Sequence, residues 1–371
     1  MKTVGIVGGG PGGGACALAL ARGGARVFLF EREPEREKPC GGGLTARAFK
    51  ALPELAELDL PWAEARDFHV VGPTGRRACI ALDPPIRIVS RRVLDSALRR
   101  EVERAGAQLV YEHVGEIARG ANGGWEINGR AVDALVGAGG MNDPVARLHG
   151  AALAHDERAT AVGRFVRGAF PPNIVVRFFP HAHGYAWWFP RPDHASLGIE
   201  LAGGHFDKEL AWRLLGQFAA EDLPGVEIDN GDDYGWSGPA VTNWDARVFG
   251  GPDWLLVGDA AGLCDVTTGE GISYALASGR LAAESILRDD VAGYPARLRE
   301  SLVRDLAKST RLHRKFYRDW VLRAVVLLNS RSRTARRITA DVSHGFESYL
   351  TLKRRFYLNA PRMIGEFVVG T

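Results

Sequence analysis

The chain is poor in cysteine and has no long apolar run. Its 371 residues contain four cysteines, which are scattered without a C-x-x-C pair: Cys16, Cys40, Cys79 and Cys264. This pattern excludes a disulfide framework and a clustered cysteine metal site, and it is typical of a reducing compartment. No run of about 18 apolar residues occurs, so no membrane-spanning helix is predicted. A strand pattern starts within the first residues, and we therefore expect no signal peptide and a cytoplasmic location.

A net positive charge is confined to the C-terminal part of the chain. Residues 296–371 contain 17 lysines and arginines against 6 acidic residues, a local charge of +11 that leaves −8 for the rest. One interpretation is an ordinary solvated helical face. The other is a surface for an anionic partner, such as an acidic membrane or an anionic substrate. Nucleic acid is not expected, because the basic residues fall on no recognisable reading motif.

The N-terminal stretch has the pattern of a dinucleotide-binding unit. Residues 4–7 predict a short buried strand, residues 15–22 a helix and residues 26–30 a second strand. The turn between the first strand and the helix has G-x-G-x-x-G spacing, given by Gly8, Gly10 and Gly13. Because the strand, turn, helix and second strand all occur together, we prefer a dinucleotide site to a merely glycine-rich turn.

Each residue of this pattern has a predicted role. Gly8 permits the tight turn, Gly10 lets the backbone approach a pyrophosphate, and Gly13 allows the helix and strand to pack closely. The free N–H groups and partial positive charge of the helix N-terminus favour phosphates. Glu31 follows the second strand, where it is placed to accept hydrogen bonds from a ribose, and its neighbour Arg32 belongs to the same predicted site.

Four stretches of the chain match the motifs of one protein family. They are the N-terminal fingerprint, P-C-G-G-G-L at residues 39–44, Y-A-W-W-F-P at residues 185–190, and G-D-A-A-G at 258–262 with G-E-G-I at 269–272. Through them the chain resembles the geranylgeranyl reductase family of FAD-dependent oxidoreductases, within the para-hydroxybenzoate hydroxylase-like superfamily. The second and third stretches narrow the likeness to this family, since the other two are common to many flavoenzymes.

The resemblance implies FAD as the cofactor. The Asp259 carboxylate is expected to accept hydrogen bonds from the ribityl chain, and the N–H groups of residues 269–272 are expected to face the flavin pyrimidine edge. Arg91 matches an arginine that reaches the FAD phosphates, with a plain surface arginine as the alternative. The complete predicted cofactor site is Gly8, Gly10, Gly13, Glu31, Arg32, Gly41, Gly42, Arg91, Gly258, Asp259, Gly269, Gly271 and Ile272.

The resemblance also implies reduction of isolated C=C bonds in a prenyl lipid or diphosphate. Tyr185, Trp187 and Phe189 alternate along one strand and so share a face, which suits an apolar chain, although ordinary sheet core is the alternative. A hydride from reduced FAD and a proton from the protein would saturate the bond. We expect Cys40, kept neutral by apolar surroundings, as the proton donor and Tyr185 as the second choice, and Trp187 completes the predicted catalytic site. No second nucleotide fingerprint occurs, so the electron donor could be NAD(P)H, a ferredoxin or another reductase.

The predicted fold is α/β with three parts. A discontinuous Rossmann-like FAD-binding domain takes residues 1–60, 86–150 and 245–290. An antiparallel β-sheet domain for the substrate takes residues 61–85 and 151–244. A C-terminal helical region takes residues 291–371, since everything after Tyr294 has a helical pattern.

Two departures from the family pattern keep other functions open. The superfamily's G-A-D-G segment is Gly137-Ala138-Gly139-Gly140 here, and Gly198-Ile199 is followed by Glu200 where the family often has glycine. The main alternative is an FAD-dependent monooxygenase or halogenase acting on an apolar or aromatic substrate. A further alternative is a flavin-binding or membrane-surface protein without turnover, which would use the basic C-terminal region on anionic lipids.

Overall fold

A computed structural model of the chain describes residues 1–121, 123–201 and 206–369. The strands in these residues are β1 (Thr3–Val7), β2 (Arg26–Phe30), β3 (Gly43–Leu44), β4 (Ala63–Val71), β5 (Arg77–Ile88), β6 (Gln108–Val110), β7 (Ile117–Arg119), β8 (Trp125–Ile127), β9 (Arg130–Val132), β10 (Ala134–Gly137), β11 (Arg158–Arg167), β12 (Ile174–Phe178), β13 (Gly184–Pro190), β14 (His194–Leu201), β15 (Asp232–Pro239) and β16 (Trp254–Leu256).

The α-helices are α1 (Pro11–Arg22), α2 (Ala46–Ala51), α3 (Arg91–Arg104), α4 (Pro144–Leu148), α5 (Lys208–Asp222), α6 (Ile272–Leu287), α7 (Tyr294–Leu298), α8 (Arg304–Phe316), α9 (Asp319–Arg331), α10 (Arg333–His344) and α11 (Tyr349–Val369). A π-helical segment, Arg299–Val303, joins α7 to α8. The predicted helical character of the chain after Tyr294 is confirmed. Within the described residues, no helix is long and apolar enough to cross a membrane.

The smaller main sheet is parallel and carries the N-terminal fingerprint. Its five strands lie in the order β16-β10-β1-β2-β6, and every neighbouring pair is parallel. The strands are short and almost wholly buried, because helices pack against their faces. The carboxyl ends of β1, β10 and β16 lie side by side, which brings the turns after these strands to one edge of the sheet.

Helix α1 begins at Pro11, four residues before the predicted start. Proline is favoured at the first helical position, and the glycines after it are accommodated because other chain segments approach them closely. A Cβ at Gly13 would lie 1.9 Å from the carbonyl oxygen of Gly8, and a Cβ on Gly279 of α6 would lie 2.2 Å from that of Gly12. The glycine run is therefore the contact surface of α1 as well as the turn before it.

The larger sheet has eight strands in the order β15-β11-β14-β13-β12-β4-β5-β3. It was predicted to be antiparallel, and that prediction is wrong at one pair, because β12 runs parallel to β4. The two strands come from distant parts of the chain, so no hairpin turn imposes the antiparallel direction on them. A small third sheet has the strand order β7-β8-β9.

The C-terminal helices pack on the larger sheet. Helices α9 and α10 contact β5, and α11 contacts α8, α9 and α10. Side chains from these helices, including Leu322 and Val326, share one buried cluster with Ile80 and Val176 of the sheet. The helices therefore cover the sheet face opposite α5, whose residues belong to a different cluster.

Candidate active site

One cavity of about 1190 Å³ runs from the N-terminal fingerprint to the C-terminal helices. Residues of the glycine turn and of the loops after β2 and β16 line one half. Aromatic and aliphatic side chains of the larger sheet and of α8–α11 line the other. Every residue of the predicted cofactor and catalytic sites borders this cavity except Gly13, which lies behind the turn.

The fingerprint glycines have the predicted backbone roles at two positions. Gly8 has a φ of +109°, and a Cβ there would lie 2.4 Å from the carbonyl oxygen of Ala138. Gly13 packs against Gly8, as described above. A Cβ on Gly10 would come no closer than 3.7 Å to Arg91, so Gly10 is open toward the cavity at the N-terminus of α1. Its role at a pyrophosphate stays a prediction.

The Glu31 carboxylate lies beside the glycine turn. It accepts hydrogen bonds from the backbone N–H groups of Gly9 and Glu33, both at 2.9 Å. Arg32 is exposed at the cavity and forms an ion pair with Glu33 at 2.9 Å. The carboxylate is therefore fixed at the end of β2, where a ribose hydroxyl would meet it in the predicted arrangement.

Arg91 is buried, with 4% of its surface exposed, and the alternative of a surface arginine is wrong. Its guanidinium donates two hydrogen bonds to Asp95, at 3.0 and 2.8 Å. Burial alone would lower the pKa of this guanidinium, but the charge and hydrogen bonds of Asp95 together with the nearby Cys40 and Asp259 outweigh burial, and the pKa is raised. Arg91 thus holds a permanent positive charge close to Gly10.

Asp259 has a cationic partner that the sequence did not indicate. Its carboxylate lies 2.8 Å from the Lys38 ammonium, which comes from the loop after β2. The preceding residue, Gly258, has a φ of +56° and donates its N–H to the Ser278 hydroxyl at 3.0 Å. The ion pair between Lys38 and Asp259 therefore joins the loop after β2 to the turn after β16 at the polar half of the cavity.

The loop before α6 is tied to the C-terminal helices through Asp265. This buried carboxylate accepts hydrogen bonds from Ser309 of α8 at 2.5 Å and from Tyr349 of α11 at 2.7 Å. The loop turns at Gly269, whose φ is +71°, and Gly271 caps α6. The predicted helix start beside this loop is confirmed.

The P-C-G-G-G-L loop lies flat against an aromatic ring, as its three glycines predicted. A Cβ on Gly41 would lie 3.0 Å from the Phe189 ring. Gly42 has a φ of +78°, and a Cβ there would lie 2.1 Å from the carbonyl oxygen of Val89. Its last two residues form β3, which pairs with β5.

Cys40 is half-buried in this loop. Its sulfur accepts the Gly42 N–H at 3.3 Å. The fully buried Arg191 donates one hydrogen bond to the Cys40 carbonyl at 2.5 Å and another to Glu37 at 2.8 Å. Cys40 packs against the main buried cluster, and its role as a neutral proton donor stays a prediction.

The aromatic residues of β13 line the cavity. Tyr185 donates its hydroxyl to the carbonyl oxygen of Thr268 at 3.0 Å, and Trp187 donates its indole N–H to Ser196 at 3.2 Å. Burial and nearby acidic groups raise the pKa of Tyr185 well above its usual value. The same rings also pack against the sheet's buried cluster, so the two interpretations given by the sequence both describe them.

The C-terminal helices form the far wall of the cavity, a role that the sequence did not show. Apolar residues of the larger sheet face them: Phe68, Val70, Ile86, Ile174, Val176 and Phe178. The helical side is similarly apolar: Leu312, Phe316, Val321, Val325, Ile338, Val342, Leu352, Phe356 and Met363. A long apolar ligand fits this half by its chemistry.

Asp143 supplies a buried carboxylate near the altered G-A-G-G segment. It accepts the N–H groups of Gly139 and Ala146, both at 2.7 Å, and so caps α4. Burial raises the pKa of Asp143 to about 6. The Asp-Pro sequence at a helix start is the signal that would have revealed this cap.

The polar half fits a dinucleotide by its shape and donors. Gly10 leaves backbone open at a helix N-terminus, Arg91 adds a fixed cation, and Gly8 and Gly258 allow turns that a side chain would block. In the part of the chain that is described, no cluster of three or more histidine, cysteine or acidic residues could hold a metal ion.

Comparison with known proteins identifies the family. A chloroplastic geranylgeranyl diphosphate reductase of Oryza sativa subsp. japonica is 30% identical, over 94% of this chain and 81% of the relative. The chain belongs to the geranylgeranyl reductase family. A digeranylgeranylglycerophospholipid reductase of Methanopyrus kandleri is 28% identical, over 75% of this chain and 78% of that protein. The predicted family is thereby confirmed, although no protein-family model matches the chain.

Solved structures show the same fold. A geranylgeranyl bacteriochlorophyll reductase-like protein of Thermoplasma acidophilum superimposes with a TM-score of 0.77, covering 96% of this chain and 99% of that one at 22% identity. A flavin-dependent brominase superimposes with a TM-score of 0.70 at 18% identity, covering 97% of this chain and 99% of that one. The predicted α/β architecture with a C-terminal helical region is confirmed.

Proposed function

We propose that this member of the geranylgeranyl reductase family is an FAD-dependent reductase of isolated C=C bonds in a prenyl lipid or prenyl diphosphate. The observation that carries the proposal is the single cavity that joins a dinucleotide fingerprint to an apolar chamber. The relatives named above act on geranylgeranyl compounds, which combine a long apolar chain with an anionic head.

The residues of the polar half would hold FAD in this proposal. The α1 N-terminus and Arg91 suit the pyrophosphate, Glu31 suits a ribose, and Asp259 suits the ribityl hydroxyls. When it is bound and reduced, FAD supplies a hydride. The Lys38 ammonium and the N–H groups near Gly271 add positive potential at this end of the cavity.

The apolar half would hold the prenyl chain. An isolated alkene offers no charge to bind, so the protein must position it by packing and exclude water. Trp187 and Phe189 on one side and α8–α11 on the other provide such walls. Cys40 and Tyr185 border the junction of the two halves and are the predicted proton donors.

The test is a single turnover without oxygen. The purified protein is checked for FAD by absorbance, reduced, and mixed with geranylgeranyl diphosphate or a geranylgeranyl phospholipid. We expect the flavin to reoxidise as mass spectrometry records products heavier by pairs of hydrogens. Flavin that stays reduced until oxygen enters, and then yields an oxygenated product, would support the monooxygenase instead. Full FAD content and full rate in Cys40→Ser would remove Cys40 as the donor.

The electron donor and the membrane contact are also proposals. An external reductant, such as NAD(P)H or a ferredoxin, must reduce the flavin, and we propose that substrate is drawn from an anionic membrane surface. Helix α11 supports this, since basic residues flank its exposed apolar side chains: Leu350, Tyr357, Leu358, Ile364 and Val368. Leu358→Glu should lower flotation with anionic vesicles at low salt, and absence of wild-type binding would refute the contact.

A further inference from the structure

Glu200 is the acidic residue that departs from the family pattern, and the structure places it in the apolar half of the cavity. It lies on β14, directly opposite Tyr185 of β13 in the sheet register. Its side chain lines the cavity together with Tyr185, Trp187 and Trp236. Because side chains alternate along a strand, Glu200 shares the cavity face with Ser196 and Gly198.

The carboxyl group of Glu200 has no hydrogen-bond or ion-pair partner among the described residues. The polar groups beside it are already used by one another. Ser196 accepts from Trp187 and contacts the Tyr234 hydroxyl at 3.0 Å, and Tyr234 donates to the carbonyl oxygen of Leu197. Glu200 is half-buried on the cavity wall, so its carboxyl is open to what the cavity holds rather than paired within the fold.

The groups that face Glu200 from the neighbouring elements offer no compensating cation. They are Tyr185 of β13, Tyr317 at the end of α8 and Cys264 in the loop after β16, while β11 contributes Ala161 and β15 contributes Trp236. Glu200 raises the pKa of each of the three titratable neighbours. These three stay neutral near pH 7, so the only group of this set that titrates there is Glu200.

Burial raises the pKa of Glu200 from 4.5 to about 7. A group that is half protonated at the working pH serves best as a general acid, because it both carries the proton and releases it readily. The two donors expected from the sequence are less suited. The Tyr185 hydroxyl is directed to Thr268 and has a strongly raised pKa, and Cys40 lies in the P-C-G-G-G-L loop at the polar half of the cavity rather than among the apolar side chains.

We propose that Glu200, rather than Cys40 or Tyr185, delivers the proton that saturates the substrate alkene. The inference rests on the proposed reductase function. As the C=C π bond breaks, one carbon takes the hydride supplied by reduced flavin, and the other takes the proton from the Glu200 O–H. The flavin is oxidised and the alkene reduced. The carboxylate left behind recovers a proton from water at the cavity mouth, and an external reductant restores the flavin.

The test compares variants of the FAD-loaded enzyme in the same anaerobic single turnover. Glu200→Gln keeps the size of the side chain but has no acidic proton, and Glu200→Asp restores a carboxyl. Glu227→Gln, at an exposed glutamate in the segment between α5 and β15, is the matched control. Reoxidation of the reduced flavin is followed with geranylgeranyl diphosphate and, separately, with oxygen, from pH 5.5 to 9.

We expect Glu200→Gln to lower alkene-dependent reoxidation by at least about 100-fold and to abolish its decline above pH 7. Reoxidation by oxygen should stay within about twofold of wild type, which shows an intact flavin site. Glu200→Asp should recover part of the rate and the pH dependence. In infrared spectra, the wild type should lose protonated-carboxyl absorbance near pH 7 in addition to the loss near pH 6 expected of Asp143, and Glu200→Gln should lack only the loss near pH 7.

Three outcomes separate the hypotheses. A wild-type rate and pH profile in Glu200→Gln overturns the assignment of the proton donor and leaves the reductase function standing. The assignment of Glu200 as the donor is also overturned, with the reductase function left standing, if Cys40→Ser or Tyr185→Phe stops the reaction and Glu200→Gln does not. A wild-type enzyme whose reduced flavin reacts with oxygen but never with the alkene overturns the reductase function, and the role of Glu200 with it.

Discussion

The half-buried carboxyl of Glu200, whose pKa is raised, should make the stability of the protein depend on pH in a way that a single substitution removes. The folded protein holds the Glu200 proton up to about pH 7, whereas the unfolded chain releases it near 4.5. The free energy of unfolding therefore falls as the pH rises from 4.5 to 7, and the loss is complete above 7.

The size of this loss follows from the two pKa values. Each pKa unit corresponds to roughly 1.4 kcal/mol, so the rise from 4.5 to about 7 lowers the free energy of unfolding by about 3 kcal/mol above pH 7. Glutamine does not titrate. The free energy of unfolding of Glu200→Gln, measured relative to that of the wild type, should thus rise by about 3 kcal/mol between pH 4.5 and 8. This rise adds to any difference in stability that the two proteins already have at low pH.

Urea unfolding followed by tryptophan fluorescence, at several pH values and constant FAD, measures this directly. The exposed Glu227→Gln variant should track the wild type at every pH. A difference between Glu200→Gln and wild type that stays constant from pH 4.5 to 8 would refute the burial argument, and with it the main reason for regarding this carboxyl as an acid at neutral pH.

Two further substitutions test how the P-C-G-G-G-L loop is held. Gly42→Ala should lower the free energy of unfolding by more than about 2 kcal/mol, because its Cβ would meet Val89. Gly75 has a similar φ of +77° but open space around it, so Gly75→Ala should lower the free energy of unfolding by only about 1 kcal/mol. Equal urea midpoints for the two variants would contradict this prediction. Arg191→Lys should lower the free energy of unfolding by about 3 kcal/mol and release flavin during gel filtration, since a single ammonium nitrogen replaces the two guanidinium nitrogens that separately bond Glu37 and the Cys40 carbonyl. Unchanged melting and flavin content would contradict this prediction.

Local patterns predicted most of the parallel sheet and its turns. The fingerprint glycines, the strand at residues 26–30 and the helix after Gly271 all occur where the sequence placed them, since each depends on a few neighbouring residues. The start of α1 was misplaced because glycines look like a turn when the helix that packs on them is unknown. The parallel pairing of β12 with β4 was missed for a related reason, as no local signal records a contact between distant segments.

The candidate site shows the same division between local and long-range information. Its backbone positions were predicted, but the partners that fix its charges were not. Lys38 reaches Asp259 across 221 residues of sequence, and Arg191 reaches Cys40 across 151. In the sequence, Glu200 could be recognised only as a departure from a motif. Its lack of a hydrogen-bond or ion-pair partner depends on the side chains of other elements, which lie far from it in the sequence.

The basic residues of the C-terminal region fall into two groups in the structure, those that line the cavity and those that form ion pairs within the fold. Of its basic residues that the structure describes, only Lys315 and Lys353 line the cavity, and both are exposed. Others are neutralised within the fold, as Arg355 is by Asp341 and Glu347. The positive charge that this region brings to the cavity therefore lies at exposed positions, whereas Glu200, beside the aromatic side chains, titrates near pH 7. An anionic head is favoured at the rim and disfavoured beside Glu200, so this distribution of charge favours entry of a prenyl compound by its apolar end.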